Sequence, residues 1–388
     1  MDSISFFAET NFRNTRHRFG ISLGDRRSHI YVIGKTGTGK STLLRTFMGQ
    51  DVTHGHGFAL LDPHGDLVEQ VAREIPADKR EKATYIDVAS GAAGFGFNPL
   101  AGIAHAHRAR AASGLVDTFK KLWSDSWGPR LEYILRNALL ALLDAPQATL
   151  ADVLRLLSDD TFRRQVGTHI TDPQVRAFWL REYAGYTERL RAEAIAPIQN
   201  KVGAFLSHPV LRRILTAPQS SIDLRVAMDE GRIVLVNLSK GRLGADTSTL
   251  LGALLVTSFS WAAFGRADVP ETERRDFFLY LDEFQSFTTL SLVGMLSELR
   301  KYRVGLVLAN QYLAQLEEPI RDALLGNVGT LVAFRVGYAD AEILAQEFYP
   351  DFAAIDLVNL PNHEIYLRLM VNGVPSSPFS ARTLPPSA

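Results

Sequence analysis

Short apolar runs alternate along most of this chain with polar turns and with segments of helical period. Residues 29–33, 57–61, 83–88, 231–238, 277–281, 304–311 and 328–335 are apolar at most positions. A strand with one wet face alternates apolar and polar residues; a near-continuous apolar run reads as a strand buried on both faces, as in a parallel sheet covered by helices. Residues 19–23 and 363–371 extend the set at either end. Residues 42–48, 249–264 and 292–301 show helical spacing, and a further helix opens at Asp340-Ala341-Glu342. Strands alternating with helices predict an α/β fold with a mainly parallel sheet.

The pattern breaks at Gly94 to Leu100 and changes from 101 to 225. Leu131, Ile134, Leu135, Ala138, Leu139 and Leu142 make one helical face, and Thr149-Leu150-Ala151-Asp152 has capping-box form, followed by Val153, Leu154, Leu156 and Leu157. The segment holds 17 Lys/Arg against 12 Asp/Glu. We read an all-helical insertion, 101–225, dividing a core into 1–100 and 226–375, with 376–388 as a flexible tail. Trp123, Trp127, Phe178 and Trp179 have two readings, stacking on nucleic-acid bases or ordinary core. The insertion likewise either contacts cargo and partners or braces neighbouring subunits.

One strand-to-helix junction carries specific chemistry. Gly34-Lys35-Thr36-Gly37-Thr38-Gly39-Lys40-Ser41 fits G-x-x-x-x-G-K-[ST], with a strand before it and a helix from Thr42 after it. Glycines let backbone N–H groups curl around phosphate oxygens, and the helix N-terminus adds positive charge. The expectation is a bound nucleotide, with Lys40 at the β- and γ-phosphates, Ser41 at Mg2+ and Thr42 at the α-phosphate.

Three other runs end in polar groups. The run 277–281 leads into Asp282-Glu283, a Walker B arrangement: Asp282 holds Mg2+ through its water shell and Glu283 polarises the attacking water. The run 304–311 ends in Gln311, an amide able to bond both that water and the γ-phosphate and so to sense the nucleotide state. The run 57–61 ends in Asp62-Pro63-His64-Gly65-Asp66, where Asp66 is the expected cap of a helix from Leu67. Asp62 and His64 lie near the nucleotide or merely make a turn; the sequence leaves both open.

Lys+Arg and Asp+Glu are 42 each, which excludes a uniformly basic nucleic-acid coat but not local basic lining. The absence of cysteine excludes disulfides, zinc–thiolate sites and thiol chemistry, and it fits a reducing cytoplasm. No apolar run is read as long enough for a membrane span, and residues 1–6 lack the features of a signal peptide. The basic cluster at 13–18 reads as solvated surface.

The order of these parts resembles the HerA/FtsK branch of P-loop ATPases, and within it the TraG/TraD-like coupling proteins of type IV secretion and conjugation. The resemblance covers residues 19–375. It rests on the P-loop, Asp62-Pro63-His64-Gly65-Asp66, the helical insertion, Leu281-Asp282-Glu283-Phe284, Arg300-Lys301-Tyr302 and Leu308-Ala309-Asn310-Gln311. It implies a RecA-like core and a homo-hexamer with ATP and Mg2+ at subunit interfaces. It also implies single- or double-stranded DNA pumped through the centre, with a relaxase or secretion-channel proteins as partners. On the matching positions it implies Lys40 and Ser41 at phosphate and Mg2+, Asp282 at Mg2+, Glu283 as catalytic base and Gln311 as sensor. Arg300 matches the family's trans-acting arginine finger, with Arg303 and Arg335 competing for that role. Such coupling proteins carry N-terminal transmembrane helices and this sequence shows none, so the expected location is cytoplasmic, unattached or peripheral at the inner face of the membrane. DNA translocation leads the functional expectations; a secretion ATPase acting on protein cargo and a nucleotide-gated assembly protein stand beside it.

Overall fold

The computed structural model describes residues 3–11, 16–90, 95–289 and 291–386. Met1, Asp2, Arg13 of the basic cluster, Gly94 and the last two residues of the expected tail lie outside the described residues. The chain divides into two units: Met1–Ile86, Arg225–Ser239 and Ala262–Ala388 form the first, Asp87–Leu224 and Lys240–Trp261 the second.

The first unit is built on an eleven-stranded sheet. Its strands are β1 (Ile4–Thr10), β2 (Arg18–Ser22), β3 (Ile30–Ile33), β4 (Gly57–Asp62), β5 (Ala83–Asp87), β6 (Ile233–Asn237), β7 (Phe277–Leu281), β8 (Val304–Asn310), β9 (Thr330–Ala333) and β10 (Glu364–Arg368). A small hairpin of β11 (Met370–Val371) and β12 (Val374–Pro375) then leads to β13 (Phe379–Thr383). The order is β2-β1-β13-β10-β9-β3-β8-β7-β4-β6-β5. From β9 to β6 neighbours run parallel, whereas β10, β13, β1 and β2 continue antiparallel. The parallel strands β3, β4, β6, β7, β8 and β9 are buried at every position, as their unbroken apolar runs require. Parallel pairing brings the C-terminal ends of β3, β8, β7 and β4 side by side, the edge at which open α/β sheets bind ligands.

Three expectations are corrected here. The segment 376–388, read as a flexible tail, supplies β13, which pairs with both β1 and β10. Ala381 and Thr383 are buried while Arg382 is exposed, a period-two signal obscured by Pro375, Pro378, Pro385 and Pro386. Second, Ala245–Asp268, 24 residues with an 18-residue window of mean hydropathy 1.4, is long and apolar enough to cross a membrane, against the expectation that no apolar run is. Of that window 72% is buried inside the protein, as in a core helix. Third, the helical unit is not confined to 101–225. It begins at Asp87 and takes in Lys240–Trp261, where Thr257 and Trp261 pack so closely on Gly114 that a Cβ there would lie 3.1 and 3.0 Å from them.

Within the second unit the face predicted on the helix Pro129–Asp144 is buried. Trp179 and Phe178 are core, and the Trp179 indole donates to Asn137 O at 3.0 Å. Trp127 is half-buried and donates to Glu132, while half-buried Trp123 stacks on Phe205 with centroids 4.7 Å apart. Asp152 accepts from Thr149 N and Oγ1, the reciprocal half of the capping box.

A buried ion pair ties the first unit together. The side chains of Arg26 and Asp51 are wholly buried. Arg26 donates to both Asp51 oxygens at 2.6 and 2.9 Å, to Ser5 of β1 at 3.0 Å and to Tyr280 of β7 at 2.7 Å, and it lies over the Phe278 ring. Burial works against the guanidinium charge, but Asp51 and Tyr280 more than compensate and raise its pKa. Arg26→Met strands the Asp51 carboxylate, so a stability loss of about 3–5 kcal/mol is expected, measured by urea unfolding.

Candidate active site

The loop after β3 is shaped by close approaches. Gly39 caps the helix Lys40–His54 at φ 124°, and a Cβ there would lie 2.9 Å from His363 Nδ1 and 3.0 Å from the Phe334 ring. A Cβ at Gly34 would lie 2.5 Å from that of Phe334. Only glycine fits such approaches. Lys35 N donates to Arg335 O at 2.9 Å, His363 N donates to Thr38 O at 2.8 Å, and Thr38 Oγ1 bonds Lys35 O. Lys40 is buried, and its ammonium donates to Gly34 O at 2.5 Å and Lys35 O at 3.2 Å. Burial lowers the Lys40 pKa, opposed by the charges of Glu283 and Asp282. Lys35, Thr36, Gly37 and Ser41 are exposed; Thr42 is half-buried.

Carboxylates gather on the adjoining side. Asp62, at the end of β4, is fully buried and accepts from His64 N at 2.8 Å and Val68 N at 3.0 Å. This corrects the expected cap: Asp62, not Asp66, holds the start of the helix Asp66–Glu74, and Gly65 at φ 94° occupies the cap position. Glu283 has a left-handed backbone, φ 48° and ψ 48°, a conformation uncommon outside glycine. Its Oε1 accepts from Gln311 Nε2 at 2.9 Å and its Oε2 from Gln285 Nε2 at 2.5 Å.

Burial first, then the charges of Asp62 and Glu283, push the Asp282 carboxyl up to about 7, against the pull of Lys40. An acid whose folded pKa lies above its unfolded value binds more protons folded than unfolded, so this group costs stability as pH rises from about 4 to 7. Asp282→Asn is therefore expected to stabilise the metal-free protein at pH 8 by about 2–4 kcal/mol and to change little near pH 4. Urea unfolding in EDTA at both pH values checks this.

One cleft of about 440 Å³ draws on all these motifs. Thr36, Gly37, Gly39, Lys40, Ser41 and Thr42 line it together with Asp62, His64, Asp282, Glu283 and Gln311. Of the two readings left open for Asp62 and His64, the one beside the phosphate loop matches their position. Asp66, Leu67, Gln70 and His363 also line the cleft and were not anticipated there. His363, in the turn before β10, has a left-handed φ of 66°; its sequence context of Pro361-Asn362 signals only a turn.

Arg300 is not part of this cleft. It lies exposed in the turn Leu299–Tyr302 that leads into β8, at the opposite end of that strand from Gln311. It is near His29, whose pKa is pushed down to about 4 by burial, with Arg300 adding in the same sense. Arg300 O accepts from Arg303 N at 3.0 Å, but among the described residues the Arg300 guanidinium has no hydrogen-bond or ion-pair partner. Arg303 donates to Arg274 O at 3.1 Å, and Arg335 donates to Leu360 O at 3.0 Å and Asn362 Oδ1 at 2.9 Å.

A glycine loop between strand and helix, an acid pair two strands away and an amide on the strand between define a RecA-like P-loop fold with an added helical unit. The chain belongs to the family described as Helicase HerA, central domain, which matches residues 17–256. The bacterial conjugative coupling protein TrwBdeltaN70, in its unbound form, is similar at TM-score 0.64 and 16% identity, over 98% of this chain and 88% of that one. VirB4 of Thermoanaerobacter pseudethanolicus is similar at TM-score 0.65 and 15% identity, over 100% of this chain and 97% of that one. At these identities the likeness is one of fold. No curated protein matches the chain.

Proposed function

We propose that the protein hydrolyses ATP and uses the energy to move DNA, as a motor of the conjugative-transfer and type IV secretion kind. The observation that carries this reading is the convergence of Lys40, Ser41, Asp282, Glu283 and Gln311 on one cleft. Plasmid coupling protein TrwB has been solved with ADP and Mg2+ and with a non-hydrolysable ATP analogue, which supports the same ligands here.

The residues fit those ligands. The exposed loop residues and the helix N-terminus suit a polyphosphate. Among the described residues no group of three or more His, Cys, Asp or Glu could hold a metal alone. That suits Mg2+, which takes one or two carboxylates plus phosphate oxygens and water. Asp282 and Ser41 would hold it; burial and then the neighbouring Asp62 and Glu283 charges raise the Asp282 pKa, and a cation would relieve both. When bound, Mg2+ neutralises charge on the phosphate oxygens. Lys40 exchanges its bonds to the loop carbonyls for phosphate oxygens, and Thr42 meets the α-phosphate. Glu283 takes the proton of the attacking water as the water oxygen bonds to the γ-phosphorus and the bond to the β–γ bridging oxygen breaks. Gln311 contacts both that water and the γ-phosphate. Arg300 acts on the nucleotide of the neighbouring subunit in a homo-hexamer, and a relaxase or secretion-channel protein is the implied partner.

The test is ATPase rate with and without single- and double-stranded DNA across a salt series. Stimulation by DNA that weakens as salt rises is expected, because phosphate contacts release counterions. Turnover indifferent to DNA moves the reading to protein cargo or to nucleotide-gated assembly.

A further inference from the structure

Glu283 is gripped from two sides by amides of different origin. Gln285 Nε2 donates to Oε2 at 2.5 Å, and Gln311 Nε2 to Oε1 at 2.9 Å. Gln285 lies in the single turn Phe284–Ser286 that starts directly after Glu283. That turn is closed by Ser286 N donating to Glu283 O at 2.9 Å and Phe287 N donating to Phe284 O at 2.8 Å, and Phe284, Ser286 and Phe287 are buried. Glu283 and Gln285 are therefore parts of one packed piece. Gln311 belongs to another. It follows β8, in a stretch held by Gln315 Oε1, which accepts from Tyr312 N at 3.3 Å, and by Asp340, which accepts from Leu313 N at 3.0 Å.

From this difference we infer that Gln285 is a positioning residue, fixing the Glu283 carboxylate while Gln311 exchanges its bond to Oε1 for the water and the γ-phosphate. The inference rests on the ATPase reading above. A carboxylate oxygen has two lone-pair sites, so an amide on Oε2 leaves the group able to accept a proton. Once Gln311 has turned to the nucleotide, Oε1 faces the water, and the bond from Gln285 keeps the carboxylate from swinging away from it. The proton then passes from the water to Oε1 as the water oxygen bonds to the γ-phosphorus and the bond from that phosphorus to the β–γ bridging oxygen breaks, releasing ADP. Misplacing a reacting group by about 1 Å can lower a rate by about 10²-fold, which sets the size of the effect.

The experiment compares Gln285→Met, of similar shape but without an N–H, with Gln285→Lys, which keeps a donor of similar reach. Gln285→Met is expected to lower kcat by about 10–100-fold while leaving KM and the affinity for a fluorescent ATP analogue unchanged. Gln285→Lys is expected to recover part of the loss. In a Glu283→Gln background, Gln285→Met should cause no further fall, because Gln285 acts through the Glu283 carboxylate. A bond that only closes the turn would lower activity equally in both backgrounds. The inference is overturned if Gln285→Met keeps kcat within about twofold of the parent, if the loss lies in KM, if the Met and Lys variants are equally impaired, or if the loss persists in the Glu283→Gln background. If the parent does not hydrolyse ATP, or Glu283→Gln has no effect on turnover, it is the ATPase reading that fails.

Discussion

Glu283→Gln is expected to bind ATP with near-parental affinity and to hydrolyse it about 10²–10⁴ times more slowly, the usual worth of a general base. On the proposed reading the contacts to the phosphates come from the loop 34–42 and its helix, and none of them involves the side chain at 283. The substitution removes only the group able to take a proton from water. It also reaches the neighbours. The amides of Gln285 and Gln311 both donate to this carboxylate, and a glutamine there meets one of them with its own NH2, losing a hydrogen bond worth about 1 kcal/mol. Against that loss, one of the negative charges that add to burial in pushing Asp282 up to about 7 is removed. The two effects oppose each other, so a small net change in stability is expected and a fall in turnover is not a folding defect. Lys40→Ala is the contrast: it should weaken nucleotide binding itself. Phosphate release gives kcat and titration with a fluorescent nucleotide gives affinity. Near-normal turnover in Glu283→Gln would remove the residue from the role of base.

The legible parts of the site are those whose chemistry is contiguous in sequence. The P-loop, the Asp282-Glu283 pair and Gln311 each end an apolar run. A parallel sheet with adjacent β3, β8 and β7 brings such ends together without further information. Asp62 could be placed only as far as a turn, because its two bonds to His64 N and Val68 N are what a plain strand-to-helix junction also shows. His363 left no signal. It reaches Gly39 because β10 pairs with β9 and β9 with β3, a long-range arrangement that no local spacing reports. β1 and β13 were missed for a related reason. They are half-buried strands of the antiparallel flank, and their alternation is weaker than the unbroken runs of the parallel strands. The helical spacing of 249–264 is legible, but the membership of the helix Ala245–Gly265 in the helical unit depends on close packing against Gly114, which is remote in sequence.

Arg300→Ala is expected to fold normally and to lose about 10³–10⁵ in kcat, the worth of an arginine finger in phosphoryl transfer. Its position decides whose nucleotide it serves. Arg300 precedes β8, while Gln311 follows it, and the seven residues between the ends at about 3.3 Å each set it about 20 Å from its own γ-phosphate site. A direct catalytic effect in its own cleft is therefore out of reach, leaving action on a neighbouring protomer or none. Exposure without a hydrogen-bond or ion-pair partner among the described residues leaves the guanidinium available to another chain. Its removal should accordingly cost little stability, within about 0.5 kcal/mol. The bland reading, a cation at the end of the helical stretch from Ser291–Glu298 to Leu299–Tyr302, accounts for less than about 1 kcal/mol of stability and for no loss of rate. The competitors differ in kind. Arg303 already donates to Arg274 O, and Arg335, beside the P-loop, is spent on Leu360 O and Asn362. Mixing separates the readings. Lys40→Ala subunits, inactive but with Arg300 intact, are combined with Arg300→Ala subunits. Partial recovery of ATP hydrolysis is expected, because some interfaces then join a sound P-loop to a sound finger. Full activity in Arg300→Ala alone, or no recovery at any mixing ratio, rules out the trans role and makes Arg335 the next residue to replace.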